Sequence, residues 1–360
     1  FCEPRKYYTV KQIGIGLLGF GRIGKIHFRN IMHYFSNAKM VAVADPQVAA
    51  ADFTAQYNNV FFSNNEEDVI HHPDVDAVLI CSPTSAHAKS LELALAAGKH
   101  IFCEKPMDLS LETTTALASI AAQSDVKLMM GFNRRFDPDF MKARETVRDG
   151  KVGNVQIVKI TSRDPGLPPI DYIKNSGGLF MDMAIHDFDM ARYMMNKQVV
   201  EVFAKGLVMV DHAVADAGDI DTALTTLTFE DGTYAVIDNS RKAVYGYDQR
   251  IEVFGSAGML QVENNQHNRN ILYNETGIHQ ALPLDFFMDR YAESYLREMG
   301  LFIESLLHNK PVPVGAADAL AATRIAVAAK KSMLEGRPVA IADVLATTMK
   351  PTSNGIAVAS

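Results

Sequence analysis

The twelve residues Ile13-Gly14-Ile15-Gly16-Leu17-Leu18-Gly19-Phe20-Gly21-Arg22-Ile23-Gly24 restrict the possible folds more than any other stretch of this chain. The first six are apolar enough for a strand buried on both faces, a situation found in parallel sheets covered by helices. The next six read G-x-G-x-x-G. In such a turn the first glycine makes the bend and the second lets a pyrophosphate approach the backbone. The third lets the following helix pack on the strand, with its N-terminus facing the phosphates. A glycine-rich turn alone is common, but here a helical segment runs on to about Tyr34 and a second apolar strand ends at Asp45. Asp45 follows the glycines at roughly the 20-residue spacing of the acid that binds the adenosine ribose. A carboxylate there accepts from both ribose hydroxyls and repels a 2′-phosphate, and Pro46 and Gln47 supply no cation to reverse that preference. The cofactor expected is therefore NAD rather than NADP. The plainer alternative is an aspartate making a turn at a strand end.

The alternation continues. Residues 76–81 read as a strand, Ser82-Pro83-Thr84-Ser85 as a turn that starts a helix over 87–97, and residues 99–103 as another strand ending in Glu104-Lys105-Pro106. A helix near 111–123 and a strand over 127–131 complete the pattern. Repeated β-α units predict a doubly wound parallel sheet, which binds ligands at the carboxyl ends of its strands. Gly19, Asp45, Ser82 and Lys105 all fall at such ends. Beyond residue 131 strand-like runs recur, several separated by glycine turns such as Glu230-Asp231-Gly232. The fold class expected is α/β. A Rossmann domain over 1–131 precedes an α+β domain over 132–345 with a large, open, mainly antiparallel sheet, and 346–360 form a loose tail. An open sheet face with apolar residues on it suits self-association.

The composition excludes several roles. With 360 residues and a net charge of −7, the chain has no basic footprint for nucleic acid. No apolar run reaches the length of a membrane span, and the first residues lack the apolar core of a signal peptide. The chain begins without Met, which allows for residues ahead of Phe1. Cys2, Cys81 and Cys103 are odd in number and lack metal-ligand spacing, so a reducing, cytoplasmic setting is expected. The histidines show no ligand spacing either, and no metal is expected.

One segment does not fit an ordinary core. Residues 177–195, GGLFMDMAIHDFDMARYMM, read as one apolar helix, yet Asp182, His186 and Asp189 share a single face at about 100° per residue. Buried carboxylates are costly unless paired or turned to a cleft. From the stretch alone, a solvated stripe, a satisfied core ion pair and a functional site all remain open.

Taken together, Gly19–Gly24, Cys103-Glu104-Lys105-Pro106, residues 131–137 (GFNRRFD) and Gly177-Gly178 leading to Asp182-x-x-x-His186 resemble the glucose–fructose oxidoreductase / inositol dehydrogenase / rhizopine catabolism family across most of the chain. The E-K-P and D-x-x-x-H marks are more specific than the glycines. The resemblance implies an NAD-dependent polyol dehydrogenase, with Lys105, Asp182 and His186 catalytic and the Lys105–Pro106 peptide cis. It implies cofactor contacts from Gly19, Phe20, Gly21, Arg22, Ile23, Gly24, Asp45, Ser82, Pro83, Thr84, His87, Glu104 and Lys105. Substrate contacts are implied for Lys105, Asn133, Asp164, Asp182, His186, Asp189 and Tyr245. A homotetramer or dimer is implied as well. Where relatives carry a His-x-Asn pair, this chain has Ser162-Arg163-Asp164, which leaves open another sugar or scyllo-inositol as substrate. A nucleotide-binding regulator is the reading from a different class, weakened by the presence of all three catalytic residues.

Overall fold

A computed structural model describes residues 12–347. The chain forms two compact units. The first gathers residues up to 109, 113–138 and 291–320, and the second gathers 110–112, 139–290 and 321 onward. The chain thus passes between units several times, where the sequence reading drew one line after residue 131. From residue 348 on, the expected tail lies outside the described residues.

The first unit is built on six parallel strands: β1 (Ile13–Leu18), β2 (Ala38–Ala44), β3 (Phe61–Ser63), β4 (Ala77–Ile80), β5 (His100–Glu104) and β6 (Leu128–Gly131), in the order β3-β2-β1-β4-β5-β6. All six residues of β1 and all four of β4 are buried, as a sheet covered on both faces requires. The strand order reverses between β1 and β4, so a crevice opens at their carboxyl ends, where such folds bind ligands. Helix Ala292–Leu307 packs on helix Arg22–Tyr34 and on the short 3-10 turn Asn133–Phe136.

The second unit carries β7 (Val155–Arg163), β8 (Val199–Leu207), β9 (Thr222–Phe229), β10 (Tyr234–Ser240), β11 (Asp248–Gly255) and β12 (Gly258–Val262). A separate hairpin, β13 (Ile271–Asn274) and β14 (Gly277–Gln280), follows, and β15 (Val339–Ala340) completes the large sheet. The order is β12-β11-β7-β10-β9-β8-β15, with every pair antiparallel except β7 and β10. Burial alternates along these strands. Val158, Ile160, Leu227, Ala235, Ile237, Ile251 and Val253 are buried on the inner face, and helix Ile185–Met195 packs on β7. On the outer face Met259, Phe254, Ile157 and Tyr234 are exposed and register side by side across four strands.

The apolar segment 177–195 is not one helix. It divides into Gly178–Asp182 and Ile185–Met195. At the junction the Ala184 N–H donates to the Leu179 carbonyl five residues back (2.9 Å), a local widening of the helix. The expected i, i+4, i+7 stripe therefore starts on one helix and finishes on the next. Asp189 is only 1 % exposed, and Asp182 and His186 are half-buried.

Candidate active site

In the first unit the candidate residues sit at the carboxyl ends of β1, β2, β4 and β5. Gly19 has φ +92, and a Cβ there would lie 2.6 Å from the Ser82 nitrogen. A Cβ on Gly24 would lie 2.0 Å from the Gly19 carbonyl oxygen, so only glycine lets helix Arg22–Tyr34 come this close to the turn. Around Gly21 there is nothing within 4 Å, and this glycine is the N-cap of that 13-residue helix. The cap residue has no side chain to satisfy the first N–H groups and no acid lies in the first turn. The positive end of the helix and the open space at Gly21 suit a phosphate. Asp45 closes the neighbouring edge. Its carboxylate accepts from the Phe20 N–H (2.7 Å) and the Gln47 N–H (2.8 Å), which ties the glycine turn to the end of β2. Arg22 is exposed and Ile23 half-buried beside it, and Phe20 is buried among Phe28, Phe53 and Tyr57. These residues fit a dinucleotide.

Ser82 and Pro83 lead into helix Thr84–Ala96. His87 is 1 % exposed, and its two ring nitrogens face the carbonyls of Pro106 (2.8 Å) and Ser82 (2.9 Å). Burial holds this imidazole below its ordinary value, so in the neutral ring one nitrogen donates. His87 thus joins the turn after β4 to the turn after β5 from beneath. The Lys105–Pro106 peptide is cis. Glu104, half-buried, turns its carboxylate to His27 (2.9 Å). Asn133, in the 3-10 turn after β6, is 4 % exposed.

In the second unit a separate cluster lies at the carboxyl ends of the parallel pair β7 and β10, where Arg163 registers with Ser240. The Asp164 N–H donates to Ser240 (2.8 Å) and its carbonyl accepts from Ala243 (2.6 Å), which sets Asp164 beside Arg241. Arg241 is 1 % exposed and is flanked by Asp182 (3.3 Å) and Asp219 (3.7 Å). The Tyr172 hydroxyl donates to Asp182 Oδ1 (2.8 Å). The tyrosine ring is half in solvent, but its hydroxyl points inward. Desolvation and the charge of Asp182 push the phenol up.

The paired glycines have a structural cause. Gly177 and Gly178 both have positive φ, and a Cβ on Gly178 would lie 2.6 Å from Asp219 Oδ1, which accepts from the Leu179 N–H (3.0 Å). The double glycine therefore lets Asp219 cap the short helix that carries Asp182. His186 lies in the first turn of the next helix. Its neighbour Asp187 is fully buried and accepts from Asn239 Nδ2 (2.8 Å).

Tyr245 is held elsewhere. Its hydroxyl donates to Asp248 Oδ2 (2.6 Å) and accepts from Arg163 Nη1 (3.0 Å), while Arg163 also pairs with Asp238. It lines a groove of about 470 Å³ with Asp248, Arg250, Asn264 and Pro283, and neither Asp182 nor His186 lines that groove. The sequence reading singled out Asp182, His186, Asp164 and Tyr245 but not Tyr172, Arg241 or Asp219. A buried arginine at a strand end was the one available signal, and it has no local pattern.

Residues 13–132 match the oxidoreductase family with an NAD-binding Rossmann fold, and residues 140–261 match the GFO/IDH/MocA C-terminal domain. A myo-inositol 2-dehydrogenase of Thermotoga maritima is 44 % identical over 92 % of this chain and 99 % of its own length. An inositol 2-dehydrogenase of Rhizobium meliloti is also 44 % identical, over 92 % of this chain and 99 % of its own. Among solved structures, a scyllo-inositol dehydrogenase from Lactobacillus casei with bound NAD(H) and scyllo-inositol superposes with a TM-score of 0.86. It is 35 % identical over 92 % of this chain and all of that one.

Proposed function

Because this chain belongs to the GFO/IDH/MocA oxidoreductase family, we propose that it oxidises a cyclic polyol with NAD, and that its substrate is myo-inositol, converted to 2-keto-myo-inositol (scyllo-inosose). The observation that carries this reading is the half-buried Asp182, held by Tyr172 and Arg241 and followed by His186. A ring of hydroxyls needs many fixed donors and acceptors rather than an apolar pocket, and Asp164, Tyr172, Asp182 and Arg241 supply both. Relatives at 44 % identity that are named inositol 2-dehydrogenases support the choice of polyol.

Bound NAD supplies the hydride acceptor. His186 takes the substrate hydroxyl proton as general base. Asp182 offsets the imidazolium charge that results, and Arg241 and Tyr172 keep that carboxylate in place. Lys105 donates to the oxygen as the carbonyl forms. The preference for NAD over NADP follows from Asp45, whose carboxylate would meet a 2′-phosphate with like charge.

The test is absorbance at 340 nm with NAD or NADP and a panel of myo-inositol, scyllo-inositol, glucose and xylose. The expected result is NAD reduction with myo-inositol. The relative crystallised with scyllo-inositol favours that isomer as a second reading, and a faster rate with it would move the substrate but keep the mechanism. No reduction with any of the four would sink the polyol reading.

The enzyme works as a homo-oligomer in this proposal, with a second copy covering the row Met259, Phe254, Ile157 and Tyr234. Light scattering of Phe254→Lys against the unsubstituted protein tests it, and an unchanged mass would refute it. The free thiols of Cys81 and Cys103 fit a reducing cytoplasm.

A further inference from the structure

Beneath β5 of the first unit lie three ionisable side chains that the proposed chemistry does not use. His27 and Glu298 are fully buried, and Glu104 has a side chain 14 % exposed. His27 Nε2 lies 2.9 Å from Glu104 Oε1 and 3.9 Å from Glu298 Oε1, and one ligand atom from each residue lies within 4.8 Å of the others. The imidazole is pinned edge-on against Phe102 (5.0 Å) and Tyr295 (5.8 Å), so its orientation is set by packing. Neither oxygen of Glu298 has a hydrogen-bond partner. On the far side, a Cβ on Gly131, which registers with Glu104 across β5 and β6, would lie 2.8 Å from Glu104 Oε2. The Glu104 carboxylate is thus lodged between a glycine, a fixed imidazole and a second buried carboxyl.

Two carboxylates in such a space cannot both be ionised. Glu104 has a hydrogen bond to His27 and some exposure. Glu298 has neither, and burial together with the charge of Glu104 pushes its carboxyl well above the ordinary range. The surroundings are dry: the thiols of Cys81 and Cys103 are pushed up by burial first and by the charge of Glu104 next.

We propose that Glu298 is a positioning residue that, with His27, holds the Glu104 carboxylate and so keeps the neighbouring Lys105 in place for the reacting oxygen. Lys105 follows directly on Glu104, the last residue of β5, so a fixed Glu104 fixes the backbone from which Lys105 projects. A short rotation brings the Glu298 O–H onto Glu104, where it completes the partners of a carboxylate already held by His27. The inference rests on the proposed role of Lys105. A metal ion is the rival occupant of this cluster. The direct 2.9 Å contact between His27 and Glu104 favours a shared proton instead.

The test compares Glu298→Gln, Glu298→Leu, Gly131→Ala and Lys105→Ala for kcat, KM, NADH affinity and melting temperature. Glutamine keeps a neutral donor, so Glu298→Gln keeps kcat within about twofold of the unsubstituted enzyme. Glu298→Leu keeps or raises the melting temperature, since an apolar side chain replaces a buried polar one. Its kcat nonetheless falls about 100-fold, the scale of a small misplacement of a catalytic group. Gly131→Ala displaces Glu104 without touching Glu298 and lowers kcat in the same way, with NADH affinity retained. Normal turnover in Glu298→Leu overturns the proposal, as does a loss in Glu298→Gln equal to that in Glu298→Leu. One tightly bound metal per chain, lost in Glu298→Gln, overturns it too. If Lys105→Ala turns over normally, it is the role of Lys105 that fails, and the two failures are distinguishable.

Discussion

The three glycines of the first turn make separable predictions, and Gly21→Ala is the most informative. Gly21 has φ −74 and ψ −161, which any residue adopts, and no atom lies within 4 Å of where its Cβ would be. Alanine is a poorer helix cap than glycine by up to about 1 kcal/mol. It also restricts the unfolded chain, which returns about 0.4–1 kcal/mol. The two nearly cancel, so stability changes by about 0.5 kcal/mol or less and the melting temperature by about 2 °C or less. Binding should respond quite differently. The added methyl group occupies the space a pyrophosphate needs and lengthens one or two charge-assisted hydrogen bonds, each worth about 1.5–3 kcal/mol. At 1.4 kcal/mol per tenfold, NADH affinity falls roughly 10- to 100-fold. Gly24→Ala should behave in the opposite way. Its Cβ would sit 2.0 Å from a backbone oxygen that cannot rotate aside. That costs about 3 kcal/mol and lowers the melting temperature by roughly 5–10 °C before any ligand is added. NADH fluorescence titrations and melts with and without NADH measure both effects. If Gly21→Ala binds NADH like the unsubstituted protein, or melts as low as Gly24→Ala, the assignment of Gly21 to the phosphate cradle is refuted.

Other consequences follow from the same contacts. Lys105→Ala should lower kcat roughly 10²- to 10⁴-fold, as steady-state rates can show. Arg241→Met leaves Asp182 and Asp219 facing one another without their cation. It should cost about 3–5 kcal/mol in urea denaturation and remove turnover, while NADH titration stays normal. Asp221 is buried, which opposes ionisation, but it accepts from the Met209, Val210 and Asp211 N–H groups and from Thr222. These hold its carboxyl below the ordinary value. Its contribution is therefore present above the unfolded pKa near 3.9 and lost as pH falls through the lower folded value. Asp221→Asn should cost about 2 kcal/mol at neutral pH, with the difference closing below about pH 4. A difference independent of pH would contradict this.

The nucleotide half of the molecule was legible because its signals are local. Strand, turn and helix occupy consecutive residues, Gly19 and Gly24 answer to contacts within their own unit, and Asp45 follows the end of the next strand. Periodicity likewise identified the second sheet, since one buried face imposes alternation on every strand. It failed at residues 177–195. Composition predicts a continuous helix there, but the capping of Leu179 by Asp219 and the widened turn at Ala184 are made by the tertiary structure. The same limit applies to the partners of the catalytic candidates. Arg241 reaches Asp182 across 59 positions and His27 reaches Glu104 across 77. Those separations close through the parallel pairing of β7 with β10 and through the parallel order β1-β4-β5. Sequence by itself marked the candidates for binding a dinucleotide and for moving a proton, because candidacy rests on side-chain type and short-range geometry. Which carboxylates are paired, which is buried without a partner and which face is left uncovered were decided by tertiary structure, because burial and charge compensation depend on neighbours that the chain order does not reveal.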